Sequence, residues 1–429
     1  MAGSAAGLGG ALWLCLHWRD RLEADAGQPL FIGASPFSGS WGTVPWSSVL
    51  IPVAVVALVV ALGPWIADRS RWGVVLGGAA IGQIGLTAAL AIPDGWIALR
   101  DHLTSGNTGY LVNVPLVGSP GAFLSGFTRN IGQYHTHGRG HPPGLILVLW
   151  LLDRVGLGGA GVAAGLCLAG GALATVAALA ATRSLAGEAV ARRAVPFVVL
   201  VPAAAVATNF DLVYSAFSAG ALATLVLATG AAGRRSTGLA AAAGVLFGCS
   251  LLGSYGLVLF AVPVAAVIAY RRRWPLLVPF AAAAGAVLAL PVAWGFWWLD
   301  GLAATRGQYF RGLGTARPGG PFAVLDLVAL AAILGPAALV ALVGYRDRRL
   351  LPVVGGVGFA ILLALMSQMS KGEVERIWQP FVPWLVLPCG LMALRLDAAR
   401  PGSWRRGRTL LAVQGAVAVG LAVFLRSPW

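Results

Sequence analysis

Charge is scarce in this chain. Only 10% of its 429 residues are Asp, Glu, Lys or Arg, and Lys371 is the single lysine. A soluble domain carries about 25% charged residues, so a water-covered globule of this length is excluded. Cysteine is equally sparse. Cys15, Cys167, Cys249 and Cys389 each sit alone in an apolar run, which leaves no disulfide framework and no paired-cysteine metal spacing. No Gly-rich phosphate loop, internal repeat, inverted symmetry or low-complexity tail is visible. Nothing therefore points to a nucleotide site.

Apolar residues fill the space that charge leaves: 58% of the chain is hydrophobic. The runs are long and unbroken rather than alternating, as in residues 44–67, which excludes barrel strands. In lipid every backbone N–H and C=O must be satisfied internally, so such runs are read as helices. Thirteen candidate segments follow, near 5–18, 44–67, 72–93, 159–182, 195–208, 213–231, 237–253, 255–270, 274–298, 322–344, 350–368, 378–395 and 409–426. The expected fold is all-α and polytopic, with about 13 helices and a large first external loop. It divides into N-terminal membrane helices (1–93), the loop with re-entrant or surface helices (94–157) and a helical bundle (158–429). The run 144–152 is apolar but too short to span.

The net charge of +15 suggests a nucleic-acid partner until its distribution is read. Arginines cluster in alternate loops: Arg69/Arg71, Arg183/Arg192/Arg193, Arg234/Arg235, Arg271–Arg273, Arg346/Arg348/Arg349 and Arg395–Arg408. The positive-inside rule places these loops in the cytoplasm. Membrane lipids, and not nucleic acid, are then the partner of the positive charge. The N-terminus is placed inside, the C-terminus outside, and the protein in the plasma membrane.

The remaining polar residues fall on the other, external face. Asp94 marks where the chain leaves the helix 72–93, and Asp101 lies about two turns on if the segment is helical. Either can take a proton from a hydroxyl; equally, Asp94 can cap a short helix. His135, His137, Arg139 and His141 crowd one stretch that ends in His141-Pro142-Pro143. These imidazoles and the arginine can bind a phosphate; three imidazoles can also ligate a metal, but no carboxylate accompanies them. No residue is assigned to a metal, and a divalent ion stays open as a cofactor. Tyr309, Arg311 and Arg317 form an aromatic-arginine loop suited to phosphate oxygens. Glu373, Glu375 and Arg376 crowd a short turn, where charges are costly unless they pair or face a chamber. Asp211 stands on another short external turn, where it can contribute to the same substrate chamber. Asp326 lies inside a helix.

A long loop opened by an acid and closed by His141-Pro142-Pro143, followed by an aromatic-arginine loop and the turn Glu375-Arg376-Ile377-Trp378, resembles the GT-C superfamily of polyprenyl-phosphate-dependent glycosyltransferases. The similarity is to the branch with protein O-mannosyltransferases and aminoarabinose transferases, in its actinobacterial form. Asp94 is followed by Gly95, where that family often has Asp-Glu. The resemblance implies a glycosyltransferase active on the external face. Asp94 would deprotonate an acceptor, which is a glycan, lipid or protein. The sugar would leave a polyprenyl-phosphate donor with inversion, and Arg311, Arg317 and Arg376 would neutralise the phosphate. A secondary transporter or lipid flippase is the alternative, and a polysaccharide polymerase or ligase a third reading.

Overall fold

Long apolar runs become helices because a helix pairs its own backbone groups. The computed structural model follows that rule almost everywhere; it describes residues 2–104, 106–206, 208–345, 347–398 and 404–428. All thirteen apolar segments fall on helical elements, but fewer qualify as spans. Among the described residues nine helices are long and apolar enough to cross a membrane: Trp46–Arg69, Trp72–Asp94, Ala160–Ala186, Glu188–Val206, Asp211–Gly230, Gly233–Gly253, Trp274–Trp294, Val374–Asp397 and Arg405–Phe424. Tyr255–Arg271 and Leu351–Ser367 are shorter. Ala2–Ala26 is long, but it carries His17 and five charged residues in its second half. The protein is a multi-pass membrane protein, almost entirely helical among the described residues.

One segment is broken. Gly319–Leu334 and Pro336–Val343 are bent by 106° at Gly335, whose φ of 80° a side chain would not tolerate. A break inside a membrane frees backbone groups that need new partners. Gln414, fully buried on the last long helix, supplies them. Its Oε1 accepts the Ala337 N–H at 3.0 Å, and its Nε2 donates to the Leu334 carbonyl at 2.6 Å. Gln414→Leu removes both partners while keeping the volume. We expect a loss of about 2–4 kcal/mol, read as a lowered Tm in detergent.

The bundle has two chemically distinct ends. At one, the arginine loops lie together and satisfy the last carbonyls of neighbouring helices. Arg192 donates to Ala67 and Ser70, Arg271 to Ser184, Arg273 to Ala231 and Arg349 to Ala186. A cation at a helix C-terminus also meets the negative end of the helix dipole. Arg193 joins Asp397 at 2.9 Å and Asp68 at 3.6 Å beneath the Trp404 ring. Arg346 and Arg400, counted in these loops, lie outside the described residues.

At the opposite end, the described residues of 94–157 fold into short helices rather than an extended linker. Gly144–Arg154 turns Leu145, Ile146 and Leu149 inward. Its 11 residues reach only about 16 Å, too short to cross. Residues 27–45, within a smaller external loop expected after Trp18, pack here too. Ser40–Trp41 pairs antiparallel with Leu425–Arg426. That ribbon fixes both segments beside the start of the loop.

Candidate functional site

Asp211 opens the helix Asp211–Gly230 and Arg376 lies in the turn that begins Val374–Asp397, so both start a helix at this end. Each is buried, and each is the other's closest charged partner, joined as an ion pair. Arg376 also reaches Glu373 at 3.2 Å and the Tyr110 hydroxyl at 3.4 Å. Tyr110 brings the loop into this cluster. Its ring stacks on His137 at 4.0 Å between centroids and leans on Phe210 at 4.7 Å. His141 packs against Tyr214 at 5.5 Å, with Nδ1 3.3 Å from the Gly253 carbonyl. Asn113 accepts the His135 backbone N–H at 2.9 Å. The loop is therefore docked onto the bundle through a buried polar layer.

Burial sets the protonation of that layer. The His137 imidazole is held well below its ordinary range by desolvation and then by the Arg376 charge. Desolvation takes His141 to about 4 and pushes the Tyr110 phenol well up. Both histidines are thus neutral in the fold, whereas the unfolded chain takes up protons near pH 6.5. Between those values the unfolded state binds more protons, so stability is complete above about pH 6.5 and lost as pH falls toward 4. Tm measured from pH 7.5 to 4.5 should fall accordingly. His141→Asn should flatten that dependence.

The remaining sequence candidates separate into braces and open groups. Arg317, expected to face a phosphate, is buried, and its donors go to the protein. Nε and Nη2 reach the Leu30 carbonyl at 3.1 and 2.9 Å, Nη1 reaches the Lys371 carbonyl, and Glu373 lies 3.7 Å away. Glu373 therefore bridges two buried guanidiniums, in a left-handed backbone conformation (φ 63°). Lys371 ties down the turn at 313–318 through the Gly314 and Arg317 carbonyls, at 2.5 and 2.7 Å. Tyr309 accepts the Lys371 N–H at 3.2 Å. Glu375, fully buried, accepts the Ser38 N–H at 3.2 Å. Asp326 accepts the Gly372 N–H at 2.9 Å. The Arg139 carbonyl accepts the Thr305 hydroxyl at 3.0 Å. Arg311 is exposed.

Asp94 and Asp101 are both open, but not on one helical face. Gly95, with φ of 88°, breaks the chain between the turn that ends at Asp94 and the helix that starts at Asp101. Asp94 pairs with Arg426, next to the short ribbon. Asp101 makes no ion pair among the described residues. Between them, residues 96–100 wall a groove of about 410 Å³ against the helix Ala160–Ala186. Trp96 and Ile97 are exposed along it, and Arg100 stands among its lining residues. Gly161 and Gly165 leave it open, since a Cβ at either would meet nothing within 4 Å. Among the described residues no group of three His, Cys, Asp or Glu side chains is placed to hold a metal.

No protein-family model matches the chain, and no curated protein is significantly similar to it. The solved structures similar in shape include two. One is ArnT from Cupriavidus metallidurans in the apo state, with TM-score 0.42 and 17% identity over 67% of this chain and 59% of that one. The other is the Archaeoglobus fulgidus oligosaccharyltransferase in complex with Zn and sulfate, with TM-score 0.46 and 14% identity over 82% of this chain and 53% of that one. This chain spans little more than half the length of each.

Proposed function

We propose that the protein is a membrane glycosyltransferase that moves a sugar from a polyprenyl-phosphate donor to a cell-envelope glycan, lipid or protein. The reaction takes place on the external face of the plasma membrane. The observation that carries this reading is the groove between residues 96–100 and the helix Ala160–Ala186. It is apolar, it has one exposed guanidinium, and its wall segment is bracketed by two open carboxylates. An isoprenoid tail needs the apolar trough, its phosphate needs a cation, and the acceptor hydroxyl needs a base.

In this scheme the tail lies along Ile97 and Leu168, and Arg100 meets the phosphate. Arg317 and Arg376 brace the protein instead of the donor, because their guanidinium ends already meet protein partners. Asp94, oriented by Arg426, takes the acceptor proton as the hydroxyl oxygen attacks the anomeric carbon. The bond from that carbon to the phosphate oxygen breaks, and polyprenyl phosphate leaves. One displacement inverts the anomeric centre. The likeness of the loop and its His-Pro-Pro end to GT-C enzymes supports the same chemistry.

A photoreactive polyprenyl phosphate tests the groove directly. Labelling should fall on residues 96–100 and 161–168. Gly165→Leu, which fills empty space without strain, should suppress it. Labelling spread over the bundle and indifferent to Gly165→Leu would contradict the reading.

A further inference from the structure

The bend at Gly335 has a second consequence, at the arginine end. Pro336–Val343 diverges from the helix before it and leaves a groove of about 490 Å³ against the ends of Val374–Asp397 and Arg405–Phe424. Val340, Leu391, Met392 and Leu410 line it, and Arg395 and Arg406 stand among the lining residues with exposed side chains. Asp347 feels the charge of Arg395, and Asp397 that of Arg406. Both are already engaged: Asp347 by Arg349 at 2.6 Å, and Asp397 by Arg193 at 2.9 Å. Among the described residues neither Arg395 nor Arg406 makes an ion pair.

We infer that this groove binds an anionic membrane phospholipid, with an acyl chain between the helices and the headgroup phosphate on Arg395 and Arg406. The two helices that carry the arginines are candidate spans, so the groove opens where a bilayer would meet the bundle end. Basic pockets between helix ends suit phosphate headgroups, and a guanidinium fork matches phosphate oxygens. A neutral lipid would fill the trough but leave both cations unanswered. This site is independent of the glycosyltransfer reading and lies at the opposite end of the bundle.

Native mass spectrometry of the full chain in mild detergent, titrated with phosphatidylglycerol or phosphatidylcholine, tests it. Wild type should retain phosphatidylglycerol preferentially. Arg395→Gln with Arg406→Gln should weaken that retention by roughly thirtyfold. Arg234→Gln with Arg235→Gln removes the same charge from the same end but away from the groove, and should leave retention unchanged. Met392→Trp, which fills the trough, should also reduce it. The inference fails if both lipids are held equally, if the two double variants weaken binding alike, or if Met392→Trp has no effect.

Discussion

Asp94→Asn should lower sugar transfer by about 10²–10⁴-fold, the range for losing a general base, while the KM for the lipid donor stays near that of wild type. The substitution keeps the shape and removes the ability to accept a proton. It also weakens the contact with Arg426, so a second variant is needed. Arg426→Gln leaves the carboxylate but frees its orientation, and should cost only about tenfold. Asp101→Asn should fall between wild type and Asp94→Asn. Full activity in Asp94→Asn together with loss in Asp101→Asn would move the base to the far end of the groove wall. Equal and small losses in both would remove the carboxylates from the chemistry.

Arg376→Met should be the most damaging change to the fold at the site end, costing about 3–5 kcal/mol. Asp211 would keep its burial and lose its cation, half-buried Glu373 would keep only Arg317, and the Tyr110 contact that docks the loop would go as well. An unpaired buried charge costs far more than a missing pair. Arg376→Met combined with Asp211→Leu should therefore recover much of the lost stability, although Glu373 remains. Thermal unfolding in detergent reads both outcomes. A single variant as stable as wild type would show that the pair is not buried in the membrane-embedded protein.

The parts of this architecture that rest on local composition were open to sequence reading. Apolar runs announced helices, and clustered arginines announced one end of the bundle. Helix breaks were less legible, because Gly335 and Pro336 look like ordinary members of an apolar run until a 106° bend is seen. Partnerships across the chain were not legible at all. Asp211 with Arg376, Asp94 with Arg426 and Ser38 with Glu375 join residues from distant segments, and no spacing encodes them. Tyr110 and Asn113 gave no signal for the same reason: their role depends on where His135 and His137 arrive. Composition also could not divide the arginines. Arg317 and Arg100 look alike in sequence, but one is spent on the Leu30 and Lys371 carbonyls and the other stands on an apolar groove.

The central claim is transfer itself, and one measurement addresses it. The purified protein in lipid nanodiscs is offered radiolabelled polyprenyl-phosphate sugars with membrane-extracted acceptors, and the label in the acceptor is counted. The account predicts transfer from at least one donor, with an inverted anomeric linkage, that disappears when Gly165→Leu closes the groove. Absence of transfer from every donor, with uptake of a solute or lipid by sealed vesicles carrying the same protein, would contradict it and make the chain a transporter.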